Sequence, residues 1–214
     1  MATKGKTEQR RFRTKSYIAF YNHEQCHVNI SGNYDYMELP YYLSQDLEND
    51  GKTVRPTCKE MLDAYITPLA LEKARLAGIP APEFYLTNSY FEPPVVIDSI
   101  NPFMIRSRVV HKNGMEKSVA KSLTRNFKYA MCCQEIPPEG EVKYFRSVLG
   151  WTTSSRYRAI AADIWNTFHI PLARIRVIVT PDERILFSDI SKLPLEKLTK
   201  REMAFLQEQI TWEE

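Results

Sequence analysis

Seven glycines are scattered through this chain of 214 residues, at Gly5, Gly32, Gly51, Gly78, Gly114, Gly140 and Gly150, and no two lie closer than ten positions. A backbone that wraps tightly around a phosphate needs glycines in pairs, because a Cβ would stand in the way and the loop visits φ angles other residues resist. The Walker A loop and the G-x-G-x-x-G fingerprint each require two glycines within about six residues. Neither can be written with this spacing, so P-loop NTPases and the dinucleotide-binding doubly wound folds are excluded. Nucleotide chemistry here would have to rest on side chains and strand edges.

The chain is long enough to bury about 70% of its unfolded surface. Its 43% hydrophobic and 26% charged residues are ordinary globular values. Apolar runs reach only about five residues, far short of the ~18 of a membrane span, so a soluble protein without a membrane span is expected. Four sparse thiols, Cys26, Cys58, Cys132 and Cys133, form no disulfide framework and suggest a reduced, cytoplasmic setting. The net charge of +3 hides an asymmetry: residues 1–16 carry Lys4, Lys6, Arg10, Arg11, Arg13 and Lys15 against Glu8. Such an arm can bind nucleic acid or simply be a solvated terminus.

Punctuation along the chain gives the elements. Tyr17–Tyr21 and Cys26–Ile30 read as a hairpin. Pro40 opens a helix that Gly51 closes, and Thr57-Cys-Lys-Glu60 is a capping box. Thr67-Pro68 reads as the N-cap and first residue of a further helix ending at Gly78. Phe84–Thr87, Val95–Ser99, Phe103–His111, Ser118–Ser122, Ala130–Ile136 and Val142–Trp151 are predicted strands. Ser154 or Ser155 caps a helix through Phe168, and Arg174–Thr180 pairs with Arg184–Ile190. Thr199–Glu202 caps a terminal helix with Met203, Leu206 and Ile210 on one face. The class is α+β, divided as a basic arm (1–16), an amino-terminal hairpin and helical lobe (17–81), a sheet domain (82–198) and a terminal helix (199–214).

Three constellations bear on function. His23, Glu24, Cys26 and His27 invite a metal or Cys–His nucleophile reading, but zinc needs a second converging pair; an ordinary hairpin tip is expected, and no zinc. Tyr34, Tyr36, Tyr41 and Tyr42 offer a base-stacking platform or, preferably, packing and a protein–protein interface, with a partner or a second copy of the chain. Arg106 and Arg108 share one strand face, which Lys128, Lys143, Arg146, Arg156 and Arg158 could join to hold a polyphosphate. The commoner alternative is an exposed face paired with acids.

The order of segments resembles the ATP-grasp superfamily, closest to its glutathione-synthetase and ribosomal-protein glutamate ligase branch. Leu43 to Asn88, "LSQDLENDGKTVRPTCKEMLDAYITPLALEKARLAGIPAPEFYLTN", is similar to the family's entry segment, with its helix Lys at Lys73 and its "aGIPvP". Met131 to Gly150, "MCCQEIPPEGEVKYFRSVLG", resembles the "vQefIp…R.vvG" strand–hinge–strand unit. Ile170 to Pro194, "IPLARIRVIVTPDERILFSDISKLP", resembles the closing hairpin. The resemblance implies two lobes of antiparallel sheet with flanking helices and a nucleotide between two sheets, ATP activating a carboxylate for attack by an amine or thiol. It would make Gln134, Glu135 and Ile136 the hinge contacting adenine and ribose. Arg106, or else Asp98, stands at the phosphate-contacting Lys, and Arg146 matches the Arg of "R.vvG", with Arg108 beside the phosphate position.

Departures from that pattern are as informative. The family's metal-binding Asp is Arg176 here, its Glu is Asp189 and its Asn is Ser191. Asp189 is thus the remaining candidate ligand for Mg²⁺, a poor set for holding two ions against phosphates. The glycine-rich phosphate flap is missing. These features point to a degenerate ATP-grasp-fold protein acting as a non-catalytic binding or accessory subunit. The alternatives are an active ATP-dependent carboxylate–amine or carboxylate–thiol ligase using ATP and Mg²⁺, and a nucleic-acid-binding protein acting through residues 1–16.

Overall fold

The computed structural model describes residues 17–101 and 107–212. The basic arm and Arg106 therefore lie outside the described residues. Contacts divide the chain into two compact units, one made of Met1–Tyr65, Phe145–Ile175 and Ile190–Glu214, the other of Ile66–Tyr144 and Arg176–Asp189. Both are discontinuous in sequence.

The first unit is built on a four-stranded sheet of order β11-β1-β2-β3, in which β11 is Ile210–Trp212. β1 (Ile18–Tyr21) and β2 (Cys26–Asn29) form the expected antiparallel hairpin, and β3 (Val54–Arg55) lies parallel to β2. Ala19, Tyr21, Val28 and Ile30 bury one side of this sheet with Trp165, Leu172 and Leu206. Helix α1 (Leu39–Asn49) begins with a proline in its first turn, and Gly51 follows at φ +71°, which favours glycine. Thr57 and Glu60 open α2 (Cys58–Tyr65) reciprocally: each backbone N–H is bonded to the other's side chain, at 2.7 and 3.2 Å.

Later in the same unit, Ser154 precedes a short 3-10 turn (Ser155–Tyr157) and makes no side-chain cap bond. The regular helix α5 (Arg158–Phe168) starts only after that turn, with Tyr157 at its N-cap, so the serine cap expected from sequence is displaced. α6 (Lys200–Gln209) has the complete Thr199/Glu202 capping box. Ile210, expected on this helix, instead begins β11 (Ile210–Trp212), which pairs antiparallel with β1 through Tyr21↔Ile210. The free edge of β1 offers backbone partners that one more helical turn would leave unused.

The second unit opens with α3 (Thr67–Leu76). Pro68 lies in its first turn as expected, but Ile66 occupies the cap position, and the Thr67 hydroxyl donates instead to Asp189 at 3.2 Å. A four-stranded antiparallel sheet follows in the order β4-β7-β5-β6: β4 (Phe84–Thr87), β5 (Val95–Ser99), β6 (Ser107–Val110) and β7 (Met131–Glu135). One predicted strand is wrong: Ser118–Ser122 lies in helix α4 (Glu116–Leu123). Val119, Ala120 and Leu123 recur at helical spacing and bury against Phe91, Val95, Ile97, Val110 and Cys133, a covering a strand could not supply.

A further sheet of order β10-β9-β8 contains β8 (Glu141–Val148), β9 (Leu172–Val179) and β10 (Ile185–Lys192). The second unit includes β8 as far as Tyr144, β9 from Arg176 and β10 as far as Asp189. Among the described residues, no helix is long and apolar enough to cross a membrane.

Candidate functional site

Strand alternation sets the interior of the second unit. Side chains two apart share a face, which puts Val96 with Asp98 on β5, Ser107 with Val109 on β6 and Cys132 with Gln134 on β7. On β9 and β10 the same rule pairs Arg176 with Ile178 and Leu186 with Ser188. The apolar members, Val96, Ile136, Ile178 and Leu186, form one buried cluster against which Val109 and Val142 pack. The polar members meet beside it.

At their centre is Arg176, only 1% exposed. Its Nη1 and Nη2 donate to the two carboxylate oxygens of Asp98 at 2.9 and 2.6 Å, a bidentate pair. Nη1 also donates to Ser107 Oγ, Nη2 to the Ser188 carbonyl at 3.4 Å, and Nε to Ser188 Oγ at 2.7 Å. All five guanidinium N–H groups are thereby spent within the protein. A ring closes through Gln134: the Ser188 hydroxyl donates to its Oε1 at 2.8 Å, and its Nε2 donates to Asp98 Oδ2 at 2.7 Å. Burial opposes the Arg176 charge, but Asp98 and Asp189 outweigh it and push the guanidinium pKa up. The same burial, with Asp98 beside it, pushes the Cys132 thiol up, so this cysteine is an inert neutral side chain.

The other predicted site residues are distributed around this network. Ile136 is buried in the apolar cluster, and Glu135 is exposed at the end of β7. The Glu135 N–H donates to the Glu83 carbonyl at 2.9 Å and the Ile136 N–H to the Pro94 carbonyl at 3.0 Å. The next two residues, Pro137 and Pro138, have no N–H to give. Arg108 is exposed on β6, next to Ser107 and so on the opposite face. Asp189 accepts from Thr67. Arg146 belongs to the first unit, where it pairs with the buried Glu202 at 2.9 Å and donates to the Lys197 carbonyl.

The first unit holds an ionic cluster of its own. Glu60 accepts from Arg55 at 2.7 Å and lies 2.8 Å from His169 Nδ1, while Arg55 Nε is 3.6 Å from Glu24. Burial raises the Glu60 pKa, but the bonds from His169 and the Thr57 N–H, with the attraction of His169 and Arg55, overcome it and hold the carboxyl below its ordinary value. Among the described residues, no three His, Cys, Asp or Glu side chains converge as a metal-ligand group. Of the four clustered tyrosines, Tyr34 is a core residue donating to the Asn29 carbonyl at 2.9 Å, whereas Tyr36 and Tyr42 are exposed.

Sequence reasoning singled out Gln134 and Arg176 but missed Ser107 and Ser188, and it considered Asp98 only as a phosphate-site alternative. The signal lay in the strands: Ser188 in "ILFSDIS" takes an inward position otherwise filled by apolar residues, which marks a buried polar partner.

Sheets of this order, with α4 covering one face and a second layer of strands on the other, define an ATP-grasp-like α+β fold. Solved structures agree. A RimK-domain ATP-grasp protein from Sphaerobacter thermophilus matches with a TM-score of 0.54 at 15% identity, over 77% of this chain and 70% of its own. The D-alanine–D-alanine ligase of Helicobacter pylori gives 0.56 at 11%, over 77% and 66%. The ATP-grasp ligase PsnB, in a complex with a precursor variant, Mg and ADP, gives 0.51 at 13%, over 76% and 60%. The chain thus spans about two thirds of the length of these proteins. No curated protein matches it. Residues 15–209 match the family described as the RimK-like ATP-grasp N-terminal domain, and the chain belongs to that family.

Proposed function

We propose that this chain is a non-catalytic ATP-grasp-like module that serves as an accessory domain or subunit to an ATP-grasp ligase. The observation that carries the reading is the occupied interior of the second unit. In the fold's catalytic members, as the resemblance implies, the space between two sheets receives the nucleotide. Here the inward faces of β5, β6, β7, β9 and β10 meet in an apolar cluster and a closed polar ring.

The residues present do not fit Mg-ATP. Arg176 takes the position of a metal-binding Asp, and a cation held at about 4 Å from a guanidinium costs on the order of 4 kcal/mol per unit charge at an effective dielectric of 20. The guanidinium has no N–H left for a phosphate. The hinge N–H groups of Glu135 and Ile136 serve backbone carbonyls, so an adenine nitrogen would meet no donor there. The family's description as an N-terminal domain of RimK-like ATP-grasp proteins supports the accessory role.

Thermal unfolding with and without millimolar Mg-ATP tests the reading. No change in Tm is expected. Ligand linkage would add about 2.7 kcal/mol at a hundred times Kd, so a rise of several degrees would overturn the proposal and favour an active ligase.

A further inference from the structure

We propose that the exposed apolar and acidic surface of α1 and of the residues leading into it, in the first unit, is a docking surface for the chain's own basic residues 1–16. The arm and this surface carry opposite charges. Between Lys15 and Lys52 there is no Lys or Arg, while Glu24, Asp35, Glu38, Asp46, Glu48 and Asp50 supply six negative charges. Residues 1–16 carry six cations and one acid, a local +5. Two adjoining blocks of opposite sign and nearly equal size are complementary to each other.

The acids also gather at one end of the helix. Asp46 and Glu48 lie in the last turn of α1 and Asp50 at its C-cap, with no basic residue in that turn. A helix C-terminus carries partial negative charge and favours cations. Three carboxylates there repel both one another and the helix end, with Glu48 accepting from the Cys58 N–H at 3.0 Å. Among the described residues, no cation pairs with Asp46 or Asp50. A cationic segment would relieve both repulsions.

Tyr36, Met37, Leu39 and Tyr42 are 42%, 55%, 67% and 47% exposed in the chain segment that leads into and opens this helix. Phe12 between Arg11 and Arg13 supplies an aromatic side chain for that patch, and guanidinium groups stack on tyrosine faces.

The arm joins the fold at β1, where Ile18 pairs opposite Asn29, and neighbouring strands lie about 4.8 Å apart. Asn29 in turn holds α1, donating through Nδ2 to the Pro40 carbonyl at 2.7 Å and to Ser44 Oγ at 3.1 Å. Sixteen extended residues span up to about 53 Å, and an eleven-residue helix is about 16 Å long. The arm thus joins the fold on the buried side of α1, one helix diameter (~10–12 Å) from its exposed face, and is long enough to reach around and cover it.

Amide hydrogen exchange of the full chain, read over residues 36–51, tests the proposal. Exchange is expected to be several-fold slower at low salt than at high salt, while the core strand amide of Val28 stays unchanged. The combined variant Arg10→Glu, Arg11→Glu, Arg13→Glu should remove that protection, as should Asp46→Lys with Asp50→Lys. Joining all five substitutions should restore it, a rescue that damage to the fold would not produce. Exchange unaltered by arm reversal would overturn the proposal. Protection that grows with protein concentration would assign the surface to a second copy and overturn docking within one chain. As an independent readout, trypsin cleavage after Arg10, Arg11 and Arg13 should be slower in the wild type than in the Asp46→Lys, Asp50→Lys variant. Equal rates would count against the arm as occupant.

Discussion

An arginine that spends all five N–H groups inside the protein is held by geometry as well as by charge. Removing one member of such a buried pair leaves the other charge without a partner, at a cost of about 3–5 kcal/mol, whereas replacing both by apolar residues is often neutral or better. Arg176→Ala should therefore lower the urea midpoint by that equivalent, and Arg176→Met combined with Asp98→Leu should lose far less. A single variant as stable as the wild type would mean that the ring contributes nothing. Glu60 allows a prediction in pH. Its folded pKa is depressed, so its contribution is complete above its unfolded value, near 4.3, and is lost as pH falls through the folded value. Glu60→Gln should cost about 1.5–3 kcal/mol at neutral pH, as for hydrogen bonds to a charged group. The gap from wild type should close as pH falls through the folded value, and a gap constant with pH would remove Glu60's charge from the account. At this scale the sequence showed that Arg176 was out of pattern but not what it binds. Asp98 lies 78 residues away, and no local signal records a pairing between strands so distant.

Among the elements, the clearest sequence signals were chemical rather than periodic. The Thr57/Glu60 and Thr199/Glu202 boxes were legible because the satisfied groups lie three residues apart. Ser118–Ser122 misled because five residues are too few to separate the two periods, and Val favours strands in isolation. Leu123, one position beyond, completes the helical face. Thr199→Ala should cost about 1 kcal/mol, visible as a lower urea midpoint with an unchanged slope. Gly32 makes a harsher case. It sits at φ +70°, its carbonyl accepts from the Leu193 N–H at 3.0 Å, and an added Cβ would fall 1.8 Å from the Leu193 carbonyl oxygen. Gly32→Ala should destabilise the first unit by roughly 3 kcal/mol or more, measured as lost amide protection at Ile30 and Leu193. The scarcity of glycine in the sequence gave no hint that this one was the most tightly constrained, because the obstacle is backbone about 160 residues later.

For the whole molecule, the resemblance read from ordered motifs reached the fold, while the identity of its interior depended on contacts that no single segment contains. The units themselves are interleaved along the chain: Ile66–Tyr144 interrupts the first unit, and Phe145–Ile175 interrupts the second. β1 is bonded to β11 through Ala19↔Trp212, a partnership between residues about 190 positions apart in the chain. At 5–20 residues per second, a ribosome takes about 10–40 s to supply the second strand after the first. Throughout that interval the outer edge of β1 has no β11 to pair with, and an unpaired strand edge invites pairing with other chains. A factor that covers the edge of Ile18–Tyr21 until Ile210–Trp212 has been made would therefore guard the nascent chain at its most exposed point of assembly.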